Sequence, residues 1–99
     1  MAREFASVFT DAPAAYTVLT GVATNPISAA VDLGQISNPI DIKAFDNDLL
    51  IRFSHDDVTY GDDMELPAGA MLSIPLAARY FKVTRAGAAD ATYEVVGYY

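Results

Sequence analysis

Hydrophobic and polar residues alternate with a period of two along much of the chain, which is the pattern of a half-buried β-strand. The alternation is clearest in Ile40–Phe45 and in Leu49–Ser54. We expect Asp46-Asn47-Asp48 to join these two segments as a hairpin turn, because Asp and Asn side chains bond their own backbone and tolerate left-handed conformations. The side chains predicted to face the core are Leu49, Ile51 and Phe53.

The second half of the chain contains further short strands separated by turn residues. Met64–Leu66 is a short strand that Pro67-Ala68-Gly69 ends, and Ala70–Leu76 fits an edge strand because Pro75 cannot donate to a strand ladder. Two well-marked strands flank the turn at Arg85–Asp90. Their predicted inner faces are Phe81 and Val83 in the first, and Tyr93 and Val95 in the second.

The first third of the chain has few charges and a weaker pattern. Glu4–Thr10 and Ala15–Leu19 are predicted strands separated by Asp11-Ala12-Pro13, which favours a turn, and we expect Thr20-Gly21 to end the second strand. Residues 27–33 alternate as a further strand, with a helical turn at Ser28–Leu33 as the competing interpretation.

Seven or eight short antiparallel strands, with turns every eight to twelve residues or so, predict an all-β sandwich or jelly roll. The 99 residues are enough for one domain. Within it we expect a sandwich body at 36–99, while 1–20 form an extended arm or a swapped strand.

Composition limits the function of such a domain. The net charge of −7 would repel a phosphate backbone, so we do not expect nucleic-acid binding. Eight acids lie in Asp41–Glu65 and none in Leu66–Ala89, so copies of the chain could meet acidic side to basic side, or the two faces could simply be solvated. A hydrophobic content of 53% suggests that another chain covers some apolar surface, although a dense core with exposed alanines is the simpler alternative.

The chain has no cysteine, which excludes disulfides, zinc–thiolate sites and thiol catalysis. Its beginning lacks the apolar stretch of a signal peptide, and no segment approaches the roughly 18 to 20 apolar residues that span a bilayer. We therefore expect a soluble protein made in a cytoplasm, without a membrane partner.

Candidate chemistry is sparse, and we predict no catalytic residue, cofactor or metal. The single histidine, His55, stands beside Asp56 and Asp57, but no second histidine or nucleophile motif completes a site, so a polar turn is expected. The acidic loop at 55–63 is the strongest candidate for calcium, yet it lacks the ordered EF-hand spacing. The carboxylates in this alternative are Asp46, Asp48, Asp56, Asp57, Asp62 and Asp63.

Eleven aromatic side chains, six Tyr and five Phe, serve either the core or a surface. Core positions are predicted for Phe45, Phe53, Phe81 and Tyr93. Tyr60, Tyr98 and Tyr99 lie outside the predicted inner faces, where they could anchor an interface or stack on sugar rings.

Four phrases of the second half resemble small β-sandwich virion proteins of tailed bacteriophages, the capsid decoration or cement proteins and related head-associated and collar proteins. The phrases are Leu49–Ser54 with its acidic loop, Leu66–Ala70, Arg79–Val83 and Ala91–Tyr99. The resemblance implies a virion protein without catalysis, a homo-oligomeric dimer or trimer that binds the major capsid protein or other virion subunits on the capsid surface or neck, after assembly in the host cytoplasm.

On this basis we expect residues 1–20 and the tail 96–99 to contact neighbouring subunits. The predicted interface residues are Phe5, Val8, Phe9, Tyr16, Tyr98 and Tyr99. The alternative from another class is a carbohydrate- or receptor-binding module of a tail or collar, in which exposed tyrosines stack on sugars. A small enzyme is a third interpretation, and only His55 speaks for it.

Overall fold

The computed structural model describes residues 15–99, which form eight β-strands and no helix within that range. The predicted strand Glu4–Thr10 and the interface candidates Phe5, Val8 and Phe9 lie outside the described residues. The strands are β1 Tyr16–Ala23, β2 Val31–Ser37, β3 Ile40–Ala44, β4 Leu49–Ser54, β5 Met64–Leu66, β6 Met71–Ile74, β7 Ala78–Arg85 and β8 Ala91–Tyr98. The part of the chain that the structure covers therefore contains no helix long and apolar enough to cross a membrane.

The strands form two four-stranded antiparallel sheets that pack face to face, as the sequence predicted. Sheet A has the order β1-β8-β3-β6 and sheet B the order β2-β7-β4-β5. Only β4 and β5 are consecutive in the chain and share a sheet, so the other connections between neighbouring strands pass from one sheet to the other. This crossing pattern places residues from the whole described chain around a single core.

The core lies between the sheets and consists of the inward side chains of both. Phe81 on β7 stands at its centre, with ring centroids 6.1 Å from Phe53 of the same sheet and 5.9 Å from Tyr93 of the opposite sheet. The predicted inner positions on β4, β7 and β8 are all buried, which confirms the period-two assignments there. They are Leu49, Ile51, Phe53, Phe81, Val83, Tyr93 and Val95.

The predicted hairpin between β3 and β4 is wrong, because the two strands belong to different sheets. Two acids of the turn between them accept hydrogen bonds from residues outside the turn. Asp46 accepts hydrogen bonds from the backbone NH and the hydroxyl of Thr92, both at 2.9 Å, and Asp48 accepts one from the NH of Ala68 at 2.9 Å. The position of the turn was predicted correctly, but its acids bond distant residues of the chain, and the turn guides the chain across the sandwich instead of reversing it within one sheet.

Three local predictions also need correction. Strand β1 does not end at Thr20-Gly21 but continues to Ala23, because Gly21 leaves room for the ring of Tyr93. The strand predicted over 27–33 begins only at Val31 and runs to Ser37. Phe45 is not a core residue, since it follows the last residue of β3 and is 46% exposed.

The early strands belong to the sandwich. Strand β1 pairs with β8 over its whole length, from Tyr16 opposite Tyr98 to Ala23 opposite Ala91, and β2 pairs with β7. The described sandwich therefore starts before the body predicted from residue 36, and residues 16–20 of the predicted arm lie in a sheet of their own chain.

Candidate functional site

Exposed apolar side chains collect on the outer face of sheet A, at the end where β1 begins and β8 stops. The register places Tyr16 opposite Tyr98 and Val18 opposite Val96, so all four side chains project from the same outer face. We call Tyr16, Val18, Val96 and Tyr98 the tyrosine patch. Tyr16 is 65% exposed and Val18 45%, whereas their partners on β8 are half-buried.

The two tyrosines of the patch are in contact and one of them is anchored. Their ring centroids are 6.2 Å apart with a tilt of 46°. The hydroxyl of Tyr98 donates a hydrogen bond to Asp41 on β3 at 2.9 Å, and this bond, with some desolvation, raises the pKa of Tyr98. The patch therefore combines one fixed ring, one open ring and a carboxylate beside them, which suits contact with a partner surface.

The pairing of β1 and β8 continues as far as Ala15 and Tyr99. Tyr99 and Ala15 exchange two backbone hydrogen bonds, from the NH of Ala15 to the carbonyl of Tyr99 at 3.0 Å and in the reverse direction at 2.9 Å. The Tyr99 side chain is 43% exposed. The structure thus brings together the predicted interface residues Tyr16 and Tyr98, which are far apart in sequence, and the predicted interface residue Tyr99 follows Tyr98.

Three outward valines of β1 and β8 are not among the predicted interface residues. Val18, Val22 and Val96 also project outward, and Val22 is 55% exposed. The alternation of Tyr16, Val18 and Val22 carries the signal, but Val22 lies beyond Thr20-Gly21, where the strand was predicted to end, and glycine usually weakens a strand.

The acidic loop after β4 is organised by its own hydrogen bonds. The buried hydroxyl of Ser54 donates to the carbonyl of Thr59 at 2.6 Å, and it accepts from the NH of Asp57 at 2.9 Å. Asp56 accepts from the NH groups of Thr59 and Val58, which lower the pKa of this carboxyl. The loop is therefore a self-capped turn, as the polar-turn interpretation expected.

The carboxylates considered for calcium have separate partners. Asp63 forms an ion pair with Arg52 at 2.7 Å, Asp57 accepts from the Tyr60 hydroxyl, and Asp46 and Asp48 hold the turn between β3 and β4. Among residues 15–99, no group of three or more histidine or carboxylate side chains is arranged to hold a metal ion. The backbone NH and hydroxyl of Thr92 lower the pKa of Asp46.

The basic side chains of the acid-free segment are also engaged within the chain. Arg79 pairs with Asp32 at 2.8 Å and lowers the pKa of that carboxyl, and Arg85 pairs with Asp90 at 3.0 Å. The ammonium of Lys82 lies 4.7 Å from the ring centre of Tyr60. Head-to-tail contact between an acidic and a basic face therefore gains little support, because these cations already have neighbours in their own molecule.

His55 lies at an open pocket of about 330 Å³ near the end of β4. The pocket walls are mainly apolar, with Phe53, Met64 and Leu76 among them, and Asp62 contributes a carboxylate. Asp56 and Asp57, the acids next to His55, bond instead to loop amides and to Tyr60. The pocket could hold a small apolar group, but it does not assemble a nucleophile, a base and an orienting acid.

Comparison with known proteins gives the fold. No family model and no curated protein matches the chain. A cupin-2 domain protein from Shewanella frigidimarina is similar in structure, with a TM-score of 0.54 and 13% identity over 99% of this chain and 95% of that one. The iron(II) form of HppE has a TM-score of 0.51 and 14% identity over 83% of this chain and 42% of that one.

A protein of Bacillus endospore appendages, described as disulfide-linked pili, is also similar in structure. Its TM-score is 0.51 and its identity 12%, over 85% of each chain. At these identities the comparisons establish a cupin-like, jelly-roll type of sandwich and leave the activity open, since such neighbours include both enzymes and non-enzymes.

The iron of HppE provides a test of the interior of this chain. Non-haem iron(II) sites are typically built from two histidines and a carboxylate. This chain has one histidine in its whole sequence, and His55 is exposed. Between the described sheets the buried side chains are apolar apart from Ser37 and Ser54, so this interior does not fit an iron site of that kind.

Proposed function

We propose that this chain is a non-enzymatic structural protein of a virion, a decoration or cement protein that binds the outside of a phage head and stabilises contacts between capsid subunits. The observation that carries the proposal is the tyrosine patch, an apolar surface left open on the outer face of sheet A. Exposed contiguous apolar surface on a small protein usually marks a binding site.

Two further observations support an assembly role. None of the four patch residues belongs to the buried core cluster or to the partly buried side chains packed against it. The appendage protein with a similar fold belongs to a repeated assembly, which at the level of fold alone makes such a use reasonable. Disulfide links are not available to this chain, which has no cysteine, so its contacts would depend on repeated apolar burial.

The proposal is tested by binding the purified chain to phage heads that lack it. A variant carrying both Tyr16→Ser and Val18→Thr should lose at least tenfold in apparent affinity and keep the circular dichroism spectrum of the parent. Val58→Thr is the matched control, because Val58 is 81% exposed but lies in the loop after β4. Unchanged binding by the double variant would refute the role of the patch.

A carbohydrate-binding module is the second candidate, and it would use the same surface. The open ring of Tyr16 beside the fixed ring of Tyr98 and the carboxylate of Asp41 is an arrangement on which a sugar could stack and hydrogen-bond. A glycan array separates the two functions. Specific glycan binding that Tyr16→Ser abolishes would favour this candidate over the virion role.

A further inference from the structure

The described sandwich has four edge strands, and three of them are protected against further pairing. Strand β5 has only three residues, and β6 has four and is followed by Pro75. Strand β2 has a register irregularity between Asp32 and Ser37, and Gly34 within it has a φ of 89°. Short length, proline, charge and irregularity are the usual means by which a sheet avoids adding strands.

Strand β1 has none of these protections. It runs for eight residues, pairs with β8 without a bulge along its entire length, and contains no charge and no proline. Within residues 15–99, only β8 pairs with it, so its second edge presents a regular row of backbone donors and acceptors. A long, regular and uncharged edge of this kind is a template for an added strand.

The sequence supplies a segment of suitable length. Fourteen residues precede Ala15, and Glu4–Thr10 within them is a predicted strand with a charge only at Glu4. Asp11-Ala12-Pro13 separates this segment from β1 but offers neither the Gly nor the Asn that tight hairpin reversals use. A turn at these residues changes the direction of the chain without the residues of a tight two-residue hairpin, which favours a segment that leaves its own sandwich over one that folds back on its own β1.

We propose that residues 4–10 of one copy add as a strand to the free edge of β1 in a neighbouring copy. The inference rests on the proposed function, because it names the contact through which copies would be linked on a particle. Backbone hydrogen bonds along the edge would give affinity, and alternate side chains of the added strand would extend the outer face that contains the tyrosine patch. Such a head-to-tail contact closes into a ring or repeats along a lattice.

The absence of native cysteine allows a clean cross-linking test of the full-length chain. One chain carries Ala6→Cys or Ser7→Cys, and the other carries Val18→Cys, Thr20→Cys or Val22→Cys, which are outward positions of β1. The two chains are refolded together, oxidised and separated on a non-reducing gel. Since neighbouring side chains of a strand point to opposite faces and a disulfide needs Cα atoms about 4.4 to 6.8 Å apart, position 6 or position 7 should cross-link strongly, but not both.

Gly87→Cys is the matched control for the cysteine positions on β1. Gly87 is exposed between β7 and β8, and an added Cβ would meet no atom within 4 Å. We expect at least tenfold less cross-linking to this position than to the best position on β1. Equal cross-linking to Gly87→Cys would mean random collision and would overturn the proposal.

Three other outcomes would also overturn it. Dimers of the Thr20→Cys chain alone would show β1 pairing with β1, and a doubly substituted chain that closes only on itself at high dilution would place the segment on its own edge. No cross-link at any position would show that residues 4–10 do not pair with the free edge of β1. Particle binding is measured separately on the unmodified chain, so a failed cross-link with retained binding rejects the strand exchange alone, and a cross-link without binding rejects the virion role.

Discussion

Two pairs of aromatic rings in this protein have similar spacing and opposite consequences. Phe81 and Tyr93 meet between the sheets with centroids 5.9 Å apart and are almost fully buried. Tyr16 and Tyr98 meet on the outer face of sheet A at 6.2 Å, and Tyr16 remains 65% exposed. Contact between two rings alone therefore does not indicate a role in the fold, because a ring stabilises the folded state mainly through the apolar surface that it removes from water.

The largest effect is expected from the interior pair. Phe81→Ala should lower the free energy of unfolding by about 3 to 5 kcal/mol, since it removes a fully buried ring at the centre of the core and leaves a cavity. Urea unfolding followed by circular dichroism measures the change. A loss below about 1 kcal/mol would contradict this difference between the two pairs, because the interior ring would then contribute no more to stability than a surface ring.

A smaller effect is expected where β1 touches the interior pair. In Gly21→Ala the new Cβ would lie 2.7 Å from the Tyr93 hydroxyl oxygen and 2.9 Å from the adjacent ring carbon, so we expect a loss of about 1 to 3 kcal/mol. Adding Tyr93→Phe should recover part of this loss, because it removes the nearer atom. Simple additivity of the two substitutions in thermal unfolding would contradict the contact.

The exposed pair should contribute little to stability. Tyr16→Ala is expected to lower the free energy of unfolding by less than about 1 kcal/mol. The substitution removes a cross-strand contact on an edge strand, and the Tyr16 ring is mostly in water. The measurement is the same urea titration. A loss comparable to that of Phe81→Ala would show that the tyrosine patch belongs to the folding core and would weaken its assignment as a partner surface.

The smallest effect concerns a third tyrosine and is visible only at alkaline pH. Desolvation, with the hydrogen bond to Asp57, raises the pKa of Tyr60 to about 12, above the value of about 10 in an unfolded chain. The neutral phenol therefore stabilises the fold fully below about pH 10, and this contribution is lost as the pH rises from about 10 to about 12. Tyr60→Phe should flatten the fall in stability over that interval, and identical profiles for both chains would contradict the shift.

Strand positions were largely predictable from the sequence, whereas strand partners were not. The inner faces of β4, β7 and β8 follow from local alternation, and every residue predicted there is buried. The hairpin assigned to β3 and β4 failed because turn residues at 46–48 report only a change of direction. Phe45 was assigned to the core by its residue type, although the alternation places it on the outward face with Lys43, whose ammonium lies 5.1 Å from the ring centre of the exposed Phe45.

The candidate surface was predictable in part. Tyr16, Tyr98 and Tyr99 were predicted as interface residues, but nothing local indicated that Tyr16 and Tyr98 would lie side by side. Val22 was missed because Gly21 resembles a strand end, and the compatibility of Gly21 with a strand depends on the ring of Tyr93, which is distant in sequence.

The sequence alone is enough to predict that this protein is all-β and which side chains face inward in its clearest strands. It also shows which chemistries the chain lacks the residues to perform. These properties depend on periodicity and residue type, and both are local. Among residues 15–99, it is the tertiary structure that makes β1 an edge strand beside β8, protects the three other edges while this one stays regular, and forms the tyrosine patch across two strands. Those properties depend on which strands pair, and pairing is set by the non-local packing of the two sheets around one core.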